Sequence, residues 1–215
     1  SVAGRVPGAQ QRLALPGRSP GFVVFLAGGI GAHERAVLAF RAQVQVEFDL
    51  GFQRRRSLQD VAQVFHDLLG EGVGLAAPQI GKSIRIAVID LDVLSDDLPE
   101  YKDFRKCYIN PHILEFDENS KKETMEEGCL SIPGIHENVT RPTRIRVKYR
   151  DTDFVEHEEW VEGYLARVMQ HEFDHLDGKM FVDRISALRK SLINNKLKGI
   201  LKGKFHCDYR TKVKK

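Results

Sequence analysis

Apolar and polar residues follow two different periods along the chain, and each change of period marks a predicted element. Over residues 44–50, apolar side chains alternate with polar ones, which is typical of a half-buried β-strand. Over residues 57–69 they recur at helical spacing, and Ser57 is followed three residues later by Asp60 in the manner of a capping box. This region therefore predicts a strand followed by an amphipathic helix.

Further along, the pattern predicts strands first and helices late. Strands are expected where β-branched and aromatic residues form a run or alternate, at residues 84–91, 107–114 and 145–149. Helical spacing returns in two segments, residues 158–177 with Gly178 as the C-cap, and residues 187–201.

Composition narrows the class of protein. The chain has 215 residues, of which 42% are hydrophobic and 29% charged, which is close to the average for a soluble single domain and excludes collagen and low-complexity scaffolds. No apolar stretch approaches the roughly 20 residues of a membrane-spanning helix, so no membrane association is expected. The 3 cysteines are widely spaced, which argues against a disulfide framework and for a reducing, cytoplasm-like compartment.

The basic residues are unevenly distributed. Residues 1–81 contain eight arginines and no lysine, whereas residues 82–215 contain fifteen lysines. Residues 1–33 also lack acidic side chains, which is a property of organelle transit segments. An extension that arises from a wrong gene start or a shifted reading frame explains the missing lysines equally well, and both interpretations stay open at this point.

The candidate chemistry begins with an H-E-x-x-H pattern that runs from His171 to His175, inside the predicted helix 158–177. Two histidines four residues apart project from the same helical face, so both imidazoles can reach one metal ion, and Glu172 beside them can reach a metal-bound water. The alternative is a solvated run of polar residues. The apolar residues around the pattern argue against it, because a buried helix does not carry such groups without partners.

A catalytic metal site usually has three protein ligands, so one more is expected elsewhere in the chain. Cys129 is the candidate, because Gly128 permits close backbone approach and Pro133-Gly134 is expected to form a turn that keeps this stretch short and rigid. Cys107 and Cys207 are interpreted as inert thiols.

A glycine-rich segment, residues 72–81, precedes the first of the later strands. It lacks the G-x-G-x-x-G and P-loop patterns and precedes a strand instead of a helix, which makes phosphate binding a poor interpretation. Its small residues allow an extended chain to lie against the backbone. Gln79 offers a neutral amide donor of the kind that stabilises an oxyanion.

Taken together, the three segments resemble the signature motifs of the peptide deformylases. The matching stretches are Gly-Val-Gly-Leu-Ala-Ala-Pro-Gln, Glu-Gly-Cys-Leu-Ser and Gln-His-Glu-Phe-Asp-His, in this order, at residues 72–79, 127–131 and 170–175. The resemblance implies an α+β fold in which antiparallel strands pack around the central helix that carries both histidines.

The resemblance also implies a reaction, the removal of the N-formyl group from the formyl-methionine of nascent polypeptides with release of formate. Cys129, His171 and His175 would bind one divalent metal ion, with Fe(II) as the usual ion and Zn, Ni or Co as replacements. Glu172 would move the proton, while Gln79 and the backbone N–H of Leu130 would stabilise the oxyanion. Contacts to the substrate would come from Val73, Gly74, Gly128, Tyr164 and Val168.

The same resemblance divides the chain into an atypical N-terminal segment (1–56), a catalytic core (57–185) and a basic C-terminal helix and tail (186–215). Residues 184–215 contain eleven basic residues and one acidic residue. The resemblance implies contact with ribosomal RNA through this region, and a solvated basic end is the alternative. A bacterial-type cytoplasmic location is expected, with organelle import through residues 1–56 as the alternative.

Two other functions compete with deformylation. A zinc endopeptidase of the general H-E-x-x-H class commonly takes a downstream Glu or His as third ligand, but beyond His175 there is only His206 and no Glu. A non-catalytic, RNA-associated protein with a structural metal would need a fourth protein ligand, and none is visible in the sequence. Both alternatives therefore fit the sequence less well.

Overall fold

The computed structural model describes residues 24–26, 69, 72–207 and 211–213. The strands are β1 (Val24–Leu26), β2 (Gly74–Ala76), β3 (Ile86–Asp90), β4 (Arg105–Phe116), β5 (Lys122–Cys129), β6 (Ile132–Pro142), β7 (Arg144–Arg150), β8 (Glu156–Glu162) and β9 (Thr211–Val213). The helices are α1 (Gly163–Leu176) and α2 (Ala187–Leu201), and short 3-10 turns cover Ala77–Ile80, Asp92–Leu94, Pro99–Tyr101 and Phe181–Asp183.

An antiparallel sheet with the order β2-β3-β4-β7-β8 packs against α1. Its core-facing side chains and those of α1 form one apolar cluster, to which Tyr108, Val147, Met169 and Phe173 belong. Every residue of β3 is buried, as expected for the apolar run 84–91. The strands predicted at 107–114 and 145–149 are confirmed and slightly longer, and the arrangement is the α+β architecture that the sequence indicates.

The helix predicted from residue 158 begins five residues later than expected. Residues 156–162 form the edge strand β8, in which Val161 lies opposite Ile145 of β7, and charged pairs such as Arg146 with Glu158 (2.8 Å) hold the two strands together. The helix begins only at Gly163, whose φ of 69° breaks the strand direction and whose N–H donates to the carbonyl of Thr143. Val161 fits both periods, which is why the helical pattern extended too far upstream.

A two-stranded antiparallel hairpin, β5–β6, carries Cys129 at its end. The chain reverses at Leu130 and Ser131, so the expected turn at Pro133-Gly134 is wrong in position. Those two residues lie inside β6, where Gly128 pairs with His136 but Cys129 already pairs with Ile132, and the residues between bulge out of the ladder. Gly134 has a φ of 70° there. Proline and a left-handed glycine serve a bulge as well as a turn, because both interrupt regular pairing.

The C-terminal helix α2 has the predicted bounds, 187–201. Ile193 and Ile200 pack against β6, but Leu188 and Leu192 are largely exposed, so only part of the expected apolar stripe is buried. Gly178, with a φ of 70°, follows the end of α1 as expected. Neither described helix has both the length and the apolarity that crossing a bilayer requires.

Some predicted elements lie outside the residues that the structure describes. The strand at 44–50 lies outside the described residues, as does the helix at 57–69 apart from Leu69, which is helical and buried. β1 pairs in parallel with β9. The division of the chain near residues 56 and 185 stays a prediction.

Two glycines should respond in opposite ways to a single methyl group. Gly163→Ala should lower the free energy of unfolding by about 1–2 kcal/mol, because an L-residue is strained at φ 69° although a Cβ there would contact nothing within 4 Å. Gly199→Ala, inside α2, should instead raise it by about 0.5–1 kcal/mol, because its Cβ meets only ordinary contacts. Urea unfolding followed by circular dichroism measures both, and equal effects would contradict the assignment of strain.

Candidate active site

Three side chains that can bind a metal ion converge where β5 ends against α1. Cys129 is the last residue of β5, and His171 and His175 lie on the last turns of α1. One ligand atom of each lies within 4.8 Å of the others, and Sγ of Cys129 is 3.2 Å from Nε2 of His175. Within the described part of the chain, no other such group of histidine, cysteine and acidic side chains is found.

The charges around this cluster favour a cation at its centre. Burial opposes ionisation of the Cys129 thiol, but the two imidazoles outweigh it and hold the pKa of the thiol well below its usual range. Burial likewise opposes protonation of His171, but Cys129 and Glu127 hold the pKa of His171 well above its usual range. One thiolate and two imidazoles in a site that attracts positive charge fit a divalent transition metal.

Glu127 is a site residue that the sequence reasoning missed. Its Oε2 lies 3.1 Å from Nδ1 of His171, so the Nε2 edge of that imidazole is the one left for a metal. Burial raises the pKa of Glu127, but hydrogen bonds from His171 and Arg141 lower it to about 2. Residues two apart on a strand share a face. Assigning residues 122–129 as a strand would therefore have placed Glu127 on the same side as Cys129.

Buried arginines satisfy the carboxylates behind the cluster. Arg141 of β6 donates to both oxygens of Glu127 (2.7 and 2.9 Å) and to Asp174 of α1 (2.9 Å). Buried Arg167 of α1 donates to Glu127 (2.7 Å), and Arg184, which is exposed, also pairs with Asp174. These ion pairs join β5, β6 and α1 behind the cluster. No local sequence pattern predicts them.

The carboxylate of Glu172 is buried beside the cluster. Among the described residues, its Oε2 has no hydrogen-bond partner. Burial raises the pKa of Glu172, and the imidazoles of His171 and His175 act in the opposite direction without overcoming it. Gly74 of β2 lies directly against this side chain, because a Cβ added at Gly74 would be 2.6 Å from Oε1 of Glu172. The carboxylate therefore occupies the space that a side chain at position 74 would need.

The amide of Gln79 is oriented by its own 3-10 turn. Its Oε1 accepts a hydrogen bond from the backbone N–H of Ala76 at 2.7 Å. Its Nε2 consequently faces the other way, 3.3 Å from Oγ of Ser131 and 3.8 Å from Sγ of Cys129. A fixed N–H donor beside the cluster is the arrangement that oxyanion stabilisation requires.

The remaining predicted residues lie on two strand edges and one helix face. β2, which holds Gly74 and follows Val73, has β3 on one side and no described strand on the other, and β5 has only β6. Gly128 is exposed on β5, and Leu130 lies in the turn that follows. Tyr164 and Val168 precede Glu172 at four-residue spacing on α1. Glu172, Gly74 and Gln79 thus lie close to the cluster, whereas Val168 is buried in the apolar core between α1 and the sheet and Tyr164 packs against that core.

The other two thiols do not join the cluster. Cys107 lies buried on β4, and burial raises its pKa to about 12, which agrees with the expected inert thiol. Cys207 follows α2 and is half-buried.

The Cys/His/His group lies beside a fixed amide donor and a buried carboxylate, one oxygen of which has no partner among the described residues. Together these groups define a metal-dependent hydrolase. Comparison with known proteins agrees with this class. Residues 30–191 match the family model of polypeptide deformylase. The chain belongs to this family, whose members are metalloenzymes, and it removes the N-formyl group from the N-terminal formyl-methionine of nascent polypeptides, releasing formate.

Individual relatives support the assignment. The chain is 47% identical over 141 residues to a peptide deformylase of Cytophaga hutchinsonii, covering 66% of this chain and 74% of the relative. It is 45% identical over 142 residues to one of Salinibacter ruber, covering 64% and 72%. A solved Plasmodium falciparum peptide deformylase in complex with an inhibitor superposes with a TM-score of 0.61 at 30% identity, covering 77% of this chain and 94% of that one.

Substitutions at two buried carboxylates on neighbouring strands should affect metal affinity differently. Glu127→Gln should weaken metal affinity about 10–100-fold, because the partner that orients His171 is changed. Glu137→Gln is the matched control, since Glu137 is the cross-strand neighbour of Glu127 and pairs with Arg189 at 2.8 and 2.9 Å. Among the described residues, its carboxylate has no hydrogen bond to a histidine. Competition with a metal chelator measures affinity. Equal losses in the two variants would contradict the role of Glu127.

Proposed function

We propose that Cys129, His171 and His175 hold one divalent metal ion and that this ion is Fe(II) in the native protein. The convergence of the three ligand atoms within 4.8 Å is the observation that carries the proposal. The donor set suits iron, zinc, nickel and cobalt alike. The choice of Fe(II) is supported by the resemblance to the deformylases, and metal analysis of protein purified without oxygen tests it.

When bound, the metal supplies Lewis-acid polarisation of the formyl carbonyl and of the attacking water. The proton is moved by Glu172. Its Oε2 is buried without a hydrogen-bond partner among the described residues, so this oxygen is available to accept a proton from the water and then to donate it to the leaving amide nitrogen. A carboxylate with a raised pKa suits both halves of this transfer, because it holds the proton more readily than an exposed one.

Gln79 and Leu130 stabilise the developing negative charge on the formyl oxygen. The Nε2 donor of Gln79 is held in place before any substrate arrives, because Ala76 fixes the opposite end of the amide. The backbone N–H of Leu130, in the turn after Cys129, is the second donor. Each donor of this kind contributes about 3 kcal/mol to the stability of the transition state.

The nascent peptide binds as an added strand between the edges of β2 and β5 that no described strand covers. Val73 and Gly74 contribute from one side and Gly128 from the other, and backbone pairing of this type is independent of the side chains that follow the first residue. The methionine side chain enters between Tyr164 and Val168, which lead along α1 to Glu172. The spacing of these residues along the helix, one turn apart and ending at Glu172, supports this placement.

The basic C-terminal region docks on ribosomal RNA. Arg189 and Lys190 of α2 are already paired with Glu137 and Asp183. Four exposed lysines have no such ion pair in the described part of the chain, and they are Lys196, Lys198, Lys202 and Lys204. Unpaired cations along one segment are suited to phosphate contacts.

Replacing the proton acceptor should separate catalysis from metal binding. Glu172→Ala should keep a full equivalent of metal but lose at least about 100-fold in kcat, because the proton has no acceptor. Formate release from formyl-Met-Ala-Ser measures activity, and an unformylated peptide detects peptidase action. Activity within tenfold of the parent would exclude Glu172 as the general base.

Replacing the proposed thiolate ligand should remove the metal. Cys129→Ala should lose the metal, and a full equivalent of metal retained in this variant would exclude Cys129 as a ligand.

Removing the unpaired lysines should release the protein from ribosomes. Changing Lys196, Lys198, Lys202 and Lys204 together to Gln, or deleting residues 203–215, should weaken co-sedimentation with ribosomes at low salt and flatten its salt dependence. Lys190→Gln serves as the control, because Lys190 is paired with Asp183. Unchanged co-sedimentation of the fourfold variant would disprove RNA docking through this region.

A further inference from the structure

Arg85 is a buried cation that the proposed reaction does not use. It precedes β3 and is 3% exposed. Its Nε donates to the carbonyl of Pro111 at 2.8 Å, and its Nη1 donates to the carbonyl of Leu176 at 3.4 Å and to Oδ1 of Asp177 at 2.7 Å. The guanidinium therefore bridges β4 and the carboxyl end of α1.

The contact on β4 lies at an irregularity of the sheet. The register between β4 and β7 shifts between Ile109 and His112, and Asn110 there has a φ of 50°. The N–H of Asn110 donates to the backbone carbonyl of Arg85 at 2.8 Å. A bulge interrupts regular pairing and re-aims the groups around it. At this bulge, the carbonyl of Pro111 accepts a hydrogen bond from Arg85 instead of from a neighbouring strand.

The contact on α1 lies next to a proposed metal ligand. Leu176 is the last residue of the helix and directly follows His175. Carbonyls in the last turn of a helix have no partner within the helix, and a cation there also complements the negative end of the helix dipole. Arg85 supplies both the donor and the charge.

The helix is thus held at two places by buried arginines. Arg167 in its first half donates to the carbonyls of Glu123 and Val139, which joins it to the hairpin that carries Cys129. Arg85 joins its other end to the five-stranded sheet, where β2 carries Gly74 and leads to Gln79. The distance between the two halves of the site depends on both attachments.

We propose that Arg85 is a positioning residue that fixes His175 relative to Cys129 and Gln79 by tying the end of α1 to the bulge of β4. The proposal rests on the metal site proposed above. It predicts that loss of Arg85 changes the metal site itself, whereas a purely structural role for a buried arginine predicts loss of stability alone.

The experiment compares Arg85→Met with Val161→Ala in the cobalt-substituted holoenzyme. Val161 is buried on β8 near the opposite end of α1, so its truncation destabilises the fold without touching the bridge. Arg85→Met should alter the cobalt absorption bands, speed metal loss to a chelator about 10-fold, and lower kcat about 10-fold with KM within twofold. Val161→Ala should lower the thermal midpoint but leave the cobalt absorption bands, the rate of metal loss and kcat unchanged.

Milder variants keep the test decisive if Arg85→Met does not fold. Arg85→Lys keeps the charge but loses the two-nitrogen geometry of the guanidinium. Asp177→Asn removes the negative charge of one partner at a half-exposed position. Both should speed metal loss by about 2–5-fold. An unchanged cobalt spectrum and metal-loss rate in every folded variant would overturn the proposal. A parent protein that fails to bind cobalt would instead overturn the metal site on which it rests.

Discussion

The buried carboxylate of Glu127 is the interaction on which the site depends. It is ionised, with a pKa of about 2, at a position that is 7% exposed. Removing one partner from a buried charge pair costs about 3–5 kcal/mol, so Arg141 and Arg167 must both stay where they are. Those arginines come from β6 and α1, while the carboxylate comes from β5. One electrostatic requirement therefore holds together the three elements that carry the cluster, and the carboxylate also orients His171.

The two sheets contribute different chemistry to one helix. The hairpin β5–β6 brings the thiolate of Cys129 and the following turn, whereas the edge of the five-stranded sheet brings Gly74 and the amide of Gln79. α1 lies between them and supplies the imidazoles and the carboxylate of Glu172. Because no described strand pairs with the outer edge of β2 or of β5 at this junction, an extended peptide can pair with both and place its first residue at the cluster.

The sequence predicted the groups that act locally and missed those that act across the fold. Helical spacing was enough to bring the two histidines together. The count of ligands called for a third one, and Gly128 beside Cys129 favoured that cysteine. The pairing of Glu127 with Arg141 could not be predicted, because their meeting depends on the register of a hairpin that was not recognised. The strand β8 was missed because Val161 satisfies both periods, and only its pairing with Ile145 decides between them.

Gly74 links two positions that are far apart in sequence. Its backbone does not require glycine, since its φ lies outside the left-handed region, and what excludes a side chain is the carboxylate of Glu172 beside it. Positions 74 and 172 are therefore expected to change only as a pair during divergence or redesign. Enlarging the first calls for shortening the second, and a shorter carboxylate would stand further from the scissile amide. The smallest residue of the first motif thus limits which proton-transfer group the helix can carry.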